Sequence, residues 1–200
     1  MIFGQKLNVN FYRGIMTEFK YIVTNKDIEF SVKELIKKRF TFSSRLMSKL
    51  KRNNSIFLND TPAVIWANPK IGDIITVKLP EEQSNFAPED IPINVVFEDD
   101  ELLVINKQAG IIVHPTKGHP VHTMANGITK YMSDSNQSFK IRFVNRLDMY
   151  TTGLLIVAKN SHCQDELTKQ MKLGIIQKKY KAIVKGIIEK DEFTINLPIG

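Results

Sequence analysis

Residues 143–159 read FVNRLDMYTTGLLIVAK, and this stretch predicts a polar loop held between two β-strands. The first strand ends at Asn145, Gly153 turns the chain, and the apolar run LLIVAK forms the second strand. The loop carries Arg146 and Asp148. Because functional side chains concentrate on loops between rigid elements, this guanidinium and this carboxylate are candidates for binding an anionic substrate. The spacing alone leaves a structural alternative open, in which Asp148 caps a turn and Arg146 pairs with it.

The sequence on both sides of this loop predicts a mostly β domain with inserted helices. Residues 95–107 form two short strand-like runs around an acidic turn, and residues 109–115 form a further extended segment. Residues 121–131 have helical spacing, and residues 161–174 are typical of a helix that a glycine ends. The run KYKAIVKGII, at residues 179–188, is again strand-like.

Residues 1–80 predict a separate and smaller unit of helices and strands. The first twelve residues show no clear period and are interpreted as a leader, whereas residues 17–24 alternate apolar and polar side chains as a strand does. Helical spacing begins after Ser31, a predicted N-cap, and a second helix begins near Ser43 or Ser44. The runs SIFLND and KIGDIITVKLP then predict two strands, each beside a tight turn.

Charge is unevenly distributed along the chain. The first eighty residues contain fourteen lysines and arginines against six acidic residues, a net charge of +8, whereas residues 81–200 contain fourteen against fifteen, a net charge of −1. A basic unit of this kind predicts a polyanionic partner, because neutralising phosphates releases counterions and supplies affinity. The alternative is a solvated, lysine-rich surface without a partner.

Composition disfavours several other classes of protein. No run approaches the roughly eighteen uncharged apolar residues that cross a bilayer, and no signal peptide opens the chain. We therefore expect a cytoplasmic protein with no membrane partner. Cys163 is the single cysteine, so it forms no intramolecular disulfide and is expected in the core. No metal site is expected at His114, His119 and His122, because this turn-rich stretch offers no carboxylate or thiol at helical spacing.

The N-terminal unit resembles the small RNA-binding module named after ribosomal protein S-four. The likeness rests on SSRLMSKLKRNNSIFLND at residues 43–60, followed by KIGDIITV at residues 70–77. An ordinary helical hairpin on a sheet is the alternative. In such a module the second helix carries the basic residues, and the resemblance implies RNA contacts by Arg45, Lys49, Lys51 and Arg52.

Three blocks of the C-terminal part resemble the RluA-like family of RNA pseudouridine synthases. The loop RLD at residues 146–148, followed by TTGLL and AK, is similar to the family's signature HRLDxxTSGLLxxAK. Residues 95–115, VVFEDDELLVINKQAGIIVHP, are similar to its opening hairpin, EDDxLLVxNKPAGxxVHP. Residues 178–186, KKYKAIVKG, resemble its block around an essential tyrosine. Three blocks in the same order and spacing are hard to obtain by chance.

The resemblance implies an α+β fold in three segments. We expect a small, basic helix-helix-strand RNA-binding module over residues 1–80 and a linker over residues 81–92. The linker is rich in proline and acidic residues and holds little that could pack. A mixed, mostly antiparallel β-sheet catalytic domain of the pseudouridine synthase type follows over residues 93–200.

The chemistry that the resemblance implies is uridine isomerisation. Asp148 would attack the target uridine, after which the N-glycosidic bond breaks and the freed uracil rotates and rejoins through carbon 5. Arg146 would hold the phosphate of the flipped nucleotide and pair with Asp148, which keeps that carboxylate ionised. Tyr180 would stack on the extruded uracil and assist the late proton transfer. The implied partner is ribosomal or transfer RNA, and we expect a monomer that needs no metal or organic cofactor.

Three of these residues have less specific alternatives. A tyrosine in a strand-like run, as at Tyr180, is more often a core or cross-strand aromatic residue. Lys107 is either a phosphate contact or a solvated turn residue, and the second interpretation is favoured. The KGH context of His119 resembles the family, and we expect this histidine in the loop near the RNA.

The chain departs from the family pattern at several positions. Asn145 replaces the usual histidine, Gln108 the usual proline and Thr152 the usual serine. Asparagine can still hydrogen-bond the loop, whereas glutamine frees a turn that proline would stiffen. Relatives typically continue past the position of Gly200 with further strands and a basic motif, RTHQIR. We therefore expect a catalytic domain cut short at its C-terminus.

The sequence leaves three functions open. The first is the pseudouridine synthase, and the second is a truncated, catalytically weak or inactive RNA-binding protein. The third is a hydrolase that uses Asp148 with a histidine. It is disfavoured because no second carboxylate or histidine lies in a recognisable partner block.

Overall fold

The computed structural model describes residues 18–198 of the chain, so the predicted leader lies outside the described residues. Within the described part, the strands form two four-stranded antiparallel sheets, each packed against its own apolar core. This arrangement confirms the α+β class and the antiparallel pairing. None of the helices in residues 18–198 is long and apolar enough to cross a membrane.

The first sheet contains β1 (Glu18–Ile22), β2 (Ile56–Leu58), β3 (Thr61–Pro62) and β4 (Ile74–Lys78), in the order β1-β4-β2-β3. Helices α1 (Val32–Phe40) and α2 (Ser44–Arg52) pack their apolar sides against this sheet. Ser31 and Glu34 form a capping box at the start of α1. The hydroxyl of Ser43 accepts a hydrogen bond from the amide of Leu46 at the start of α2. The predicted strand at residues 17–24 and both predicted helix starts are confirmed.

The second sheet contains β5 (Val95–Glu98), β6 (Leu102–Lys107), β7 (Arg142–Phe143) and β8 (Gly153–Ala158), in the order β5-β6-β8-β7. Helices α3 (Met124–Asp134) and α4 (Ser161–Lys172) lie where helical spacing predicts them. Gly174 follows α4 with a positive φ of 69°, as expected of a glycine that ends a helix. The predicted extended segment at residues 109–115 is not a strand of either sheet and forms a bridge between Ile112 and Thr123.

The strand predicted at residues 179–188 is wrong. Residues 175–198 contain neither helix nor strand, and the side chains of Ile183 and Ile187 are 103% and 93% exposed. A strand is stabilised by backbone hydrogen bonds to a neighbouring strand, and none of the strands in residues 18–198 pairs with this run. Its alternating sequence therefore indicates strand propensity without a pairing partner in the described chain.

Residues 80–92, which we call the strap, are ordered against the second unit although the sequence predicts a linker with little to pack. The side-chain amide of Asn126 in α3 donates to the carbonyl of Ala87 at 2.9 Å. Gly127 permits this close crossing, because a Cβ at this position would lie 2.9 Å from the Cβ of Ile91. The predicted domain boundaries themselves stay a prediction.

The two units touch along α4. The rings of Phe42 and Phe19 meet the ring of His162 edge-on, with centroids 5.0 and 5.1 Å away. Burial lowers the pKa of His162, so the neutral imidazole is favoured between the two aromatic rings. The hydroxyl of Ser43 at the start of α2 donates to the carboxylate of Asp165 in α4. These contacts hold the start of α2 against α4.

Candidate active site

The loop between β7 and β8, residues 144–152, lines a cavity of about 970 Å³. The loop contributes Arg146 and Asp148 to the wall, and α2 of the first unit contributes Arg45 and Lys49. The cavity therefore lies where the two units meet, and side chains from both units line it.

Alternation along the loop explains why its two charged side chains reach the cavity. Leu147 is buried, whereas Arg146 and Asp148 on either side of it are exposed. A leucine that points into the interior anchors the backbone at its own position and leaves its neighbours on the outer side. The structure thus brings the predicted guanidinium and the predicted carboxylate to one cavity.

Asn145 fixes the beginning of the loop. Its side-chain nitrogen donates to the carbonyl of Leu154 at 2.9 Å, and its side-chain oxygen accepts from the amide of Ile156 at 2.8 Å. Both partners belong to β8, so one side chain extends the strand pairing after β7 has ended. Asparagine at this position thus still forms hydrogen bonds, as expected, but its partners lie in β8 and not in the loop.

Lys107 fixes the end of the loop. Its side chain is completely buried, and its ammonium group donates to the carbonyls of Gln108, Met149 and Thr151 at 2.8, 2.9 and 2.9 Å. Burial lowers the pKa of Lys107, and the charge of the Asp148 carboxylate opposes that shift. An ammonium group has three N–H donors, and a carbonyl accepts each of them.

Both interpretations of Lys107 made from the sequence are therefore wrong. A buried ammonium group with every donor in use is neither a solvated turn residue nor a phosphate contact. The alternation of side chains along β6 indicates that Lys107 is buried, because it places Lys107 on the same side of the strand as the buried Leu103 and Ile105. Lys107 is a residue that positions the loop around Asp148.

The predicted ion pair between Arg146 and Asp148 is wrong. Within residues 18–198, neither side chain forms a salt bridge with the other, and both are exposed. Alternation around Leu147 lets the two side chains reach the cavity without meeting each other. The guanidinium is therefore left to bind a ligand in the cavity.

Glu82 of the strap joins three cations on the wall of this cavity. Its carboxylate lies 2.9 Å from the ammonium of Lys49 in α2 and 3.4 Å from that of Lys140, and it accepts a hydrogen bond from the buried guanidinium of Arg142. Burial opposes the ionisation of Glu82, but the hydrogen bond from Lys49 and the charges of Arg142 and Lys140 outweigh it, so the pKa of Glu82 is lowered. Sequence reasoning assigned Glu82 to a linker and missed this cluster.

The remaining predicted site residues do not all reach the cavity. Tyr180 is 64% exposed and does not line it, although Lys178, two residues earlier, does. His119 is exposed, and its backbone pairs with that of Thr116 in a turn. His114 lines the cavity, between the rings of Phe86 and Phe143.

Of the four basic residues predicted to contact RNA on α2, Arg45 and Lys49 line the cavity, and Lys51 and Arg52 do not.

Comparison with known proteins decides the family. The sequence profile of the family described as RNA pseudouridylate synthase matches residues 101–200, which is half of the chain. The chain belongs to this family. Among its relatives, an uncharacterized RNA pseudouridine synthase of Bacillus subtilis, YlyB, is 37% identical over 144 residues, which are 69% of this chain and 48% of the relative. The ribosomal large subunit pseudouridine synthase D of Neisseria meningitidis is 35% identical over 154 residues, 74% of this chain and 40% of the relative.

A further pseudouridine synthase, from Aquifex aeolicus, is 31% identical over 165 residues, 80% of this chain and 52% of the relative. The chain thus spans about half the length of the curated relatives it matches. Matches of 154 and 165 residues are longer than the family match and therefore extend into the N-terminal half. The resemblance of that half to the S-four module stays a prediction.

The pseudouridine synthase match and the cavity fall on the same part of the fold. The match begins at Glu101, next to β6, and includes the loop with Arg146 and Asp148 as well as Tyr180. In the described part of the chain, no three histidine, cysteine, aspartate or glutamate side chains are grouped so that they could hold a metal ion. Cys163 is buried, as predicted, and burial raises the pKa of its thiol to about 12.

Proposed function

We propose that this protein is an RNA pseudouridine synthase that isomerises specific uridines of structured RNA, with Asp148 as the catalytic carboxylate. One observation carries the proposal. Asp148 is exposed on a loop that is fixed on both sides, in the part of the chain that matches the family, at the wall of a cavity lined with cations. Relatives named as ribosomal large subunit pseudouridine synthases favour ribosomal RNA as the substrate, with transfer RNA as the other class.

The reaction requires little from the protein beyond a carboxylate and a shaped pocket. Attack by Asp148 on the uridine leads to cleavage of the bond between the ribose and N1 of uracil. The uracil then rotates, and the ribose bonds to C5 as its bond to the Asp148 carboxylate breaks. The proton lost from C5 is replaced by one on N1, and Asp148 is free again. The atoms of the nucleotide balance, so the isomerisation needs no external oxidant, reductant or group donor.

The cavity has the size and charge that a flipped nucleotide needs. Its volume of about 970 Å³ lies at the upper end of the usual range for ligand sites, about 300–1,000 Å³. Arg146 has no acidic partner in the described chain, so its planar guanidinium is suited to the phosphate of the target nucleotide. Arg45 and Lys178 also line the cavity and would bind neighbouring phosphates.

Tyr180 enters the proposal through the family resemblance. For it to stack on the uracil, residues 178–186 must fold over the cavity from the exposed position that they occupy. Lys178 already lies at the cavity wall, so a rotation of the chain after this residue would bring Tyr180 towards the loop of Asp148. The proposal therefore includes an ordering of this segment when RNA binds.

The N-terminal unit would bind RNA at the wall of the pocket and beyond it. We propose that residues 1–80 are an RNA-binding module of the S-four type, supported by the net charge of +8 and by the position of α2 at the cavity. On this proposal the protein acts as a cytoplasmic monomer whose partner is RNA and which uses no small-molecule cofactor.

The test compares the wild-type chain with Asp148→Asn. Each is incubated with total RNA from cells that lack the activity, and pseudouridine is mapped by carbodiimide-dependent stops of reverse transcription. Asp90→Asn is the matched control, because Asp90 is exposed on the strap and does not line the cavity. We expect new stops with the wild type and with Asp90→Asn, and none with Asp148→Asn.

The same experiment separates the two main functions. Stops that persist in Asp148→Asn would contradict the assigned role of Asp148. Absence of stops in every sample, together with salt-sensitive RNA binding, would replace the proposal by a catalytically inactive RNA-binding protein. The exposed position of Tyr180 is the observation that favours that second function.

A further inference from the structure

We propose that Trp66, flanked by Lys33 and Lys51, is a stacking site for an unpaired base of the RNA. The inference rests on the proposed RNA partner and adds a second contact point, on a part of the N-terminal unit that does not line the cavity of Asp148. Trp66 is the single tryptophan of the chain. It follows β3, in the loop that leads to β4.

The indole of Trp66 faces outward, although Ile65 and Pro69 of the same loop pack inward. Its side chain is 65% exposed, whereas Ile65 packs against the first core and Pro69 is buried. Ile65 and Pro69 thus anchor the loop, whereas the indole of Trp66, its largest apolar side chain, stays exposed. A large aromatic surface left to solvent on a basic unit is a surface suited to binding.

The turn that carries Trp66 is held rigidly. The amides of Val32 and Lys33 donate to the carbonyls of Ala67 and Ile65 at 3.0 and 2.9 Å. These two amides belong to the first turn of α1, where they lack partners within the helix. The turn therefore caps the helix with its own backbone, and the indole is presented at a fixed position. A preorganised aromatic surface loses little freedom when a base stacks on it.

Two lysines lie over the indole. The ammonium of Lys33 is 4.1 Å from the ring centroid and that of Lys51 is 5.5 Å from it, so one contact comes from α1 and the other from the last turn of α2. Within residues 18–198, neither lysine forms a salt bridge. A base on the indole would bring its two flanking phosphates near these uncompensated charges. Aromatic side chains interleaved with cations are the usual surface for single-stranded nucleic acid.

Charge favours RNA over a protein or a membrane as the occupant of this site. The first eighty residues have a net charge of +8, which attracts a polyanion, and stacking needs a flat aromatic partner that a nucleic acid base supplies. A duplex hides its bases within the stack, so the ligand chemistry is that of a loop, a bulge or a single-stranded end.

The test uses the fluorescence of Trp66 itself, with RNA hairpins whose loops are unpaired and fully paired duplexes of equal length. We expect the hairpins to quench the wild-type signal and the duplexes to leave it almost unchanged. Loss of one stacked base in Trp66→Ala should weaken hairpin binding, measured by anisotropy of labelled RNA, about 5- to 150-fold. Trp66→Phe should keep most of the affinity, because a benzene ring still stacks.

Two matched controls separate stacking from general loss of surface or charge. Ile71→Ala removes an apolar side chain that is 59% exposed in the same unit, and Lys26→Gln removes an exposed cation elsewhere in that unit. We expect Trp66→Ala to lose more affinity for the hairpins than Ile71→Ala does. Likewise, Lys33→Gln should lose more affinity than Lys26→Gln does. The proposal would be overturned if the hairpins bound without quenching Trp66, or if the two variants of either control pair lost equal affinity. Quenching by polyglutamate instead of RNA would also overturn it.

Failure of this site and failure of the proposed function are distinguishable. Quenching and binding do not require chemistry, so Asp90→Asn, which lies outside the cavity, should behave as the wild type in both measurements. Pseudouridine formation without any response of Trp66 would refute the stacking site alone. A quenched Trp66 without any pseudouridine in the mapped RNA would refute the catalytic function alone.

Discussion

Replacing Lys107 by methionine tests the idea that a buried cation fixes the position of Asp148. Methionine has nearly the length and volume of lysine without its ammonium group, so Lys107→Met removes three hydrogen bonds and one buried charge with little change in packing. The carbonyls of Met149 and Thr151 then lose the donor that holds the end of the loop.

Two opposing contributions set the magnitude. A hydrogen bond from a charged group contributes about 1.5–3 kcal/mol, so three of them amount to about 5–9 kcal/mol before any compensation. Removing the charge also removes its desolvation cost, which is several kcal/mol for a buried ion. We expect the free energy of unfolding to fall by about 2–4 kcal/mol, which is the size of a broken buried polar network.

The measurement is urea unfolding of the wild type, Lys107→Met and Lys117→Met, together with the initial rate of pseudouridine formation. Lys117 is exposed in the loop before α3, and its replacement should change stability by less than about 0.5 kcal/mol. At a temperature where Lys107→Met is still folded, its rate should fall at least tenfold, because Asp148 is no longer held in one position. The reasoning is refuted if Lys107→Met matches Lys117→Met in stability and in rate.

Three further predictions concern charged groups at or near the first unit. Asp27 is buried, and although burial opposes its ionisation, hydrogen bonds from Thr24, Tyr21 and Arg39 hold the pKa of this carboxyl far below its usual range. The contribution of the Asp27 carboxylate to stability is therefore complete above about pH 4 and declines as the pH falls below that. Asp27→Asn should lower the free energy of unfolding by about 3 kcal/mol at pH 7 and by less in acid, as measured by urea unfolding at both pH values. Glu82→Gln should lower the free energy of unfolding by about 1–2 kcal/mol, since three cations lose their shared anion, whereas Glu81→Gln, at an exposed neighbour, should not. Arg45→Gln should reduce the rate of pseudouridine formation more than Arg52→Gln, because Arg45 lines the cavity and Arg52 does not. Equal effects in steady-state assays would contradict a role of Arg45 in the cavity.

Most elements of the fold follow from local signals in the sequence. Ser31 and Ser43 cap the two helices of the first unit because a hydroxyl at this position accepts from helix amides that have no other partner. The sequence predicts a loop after Asn145 because an apolar strand follows a turn glycine and a polar run, and the structure has this loop at residues 144–152. Each of these signals is contained within about one helical turn or one strand of the residue that it concerns.

The predictions that failed depend on contacts between distant residues. The run at residues 179–188 has the alternation of a strand but no neighbour in the described chain. From its local sequence, Lys107 is predicted to be a surface residue. Its burial depends on the carbonyls of Met149 and Thr151, which lie more than forty residues later in the chain. Likewise, the local sequence predicts a solvated Glu82, because its partners Lys49 and Arg142 come from two different units. No local pattern contains these partners.

The position of Asp148 illustrates why a catalytic motif needs more than its catalytic residue. Leu147 anchors the middle of the loop in the interior, Asn145 ties its beginning to β8, and Lys107 holds the carbonyls at its end. Each anchor uses a different interaction, so a replacement at one of them keeps the path of the loop only where it makes the same contacts. The asparagine that replaces the family's usual histidine at position 145 is such a replacement, because its amide both donates and accepts towards the strand. A carboxylate held by its neighbours in this way can remain exposed to a nucleotide and still be fixed, which is the requirement for attack on a flipped uridine.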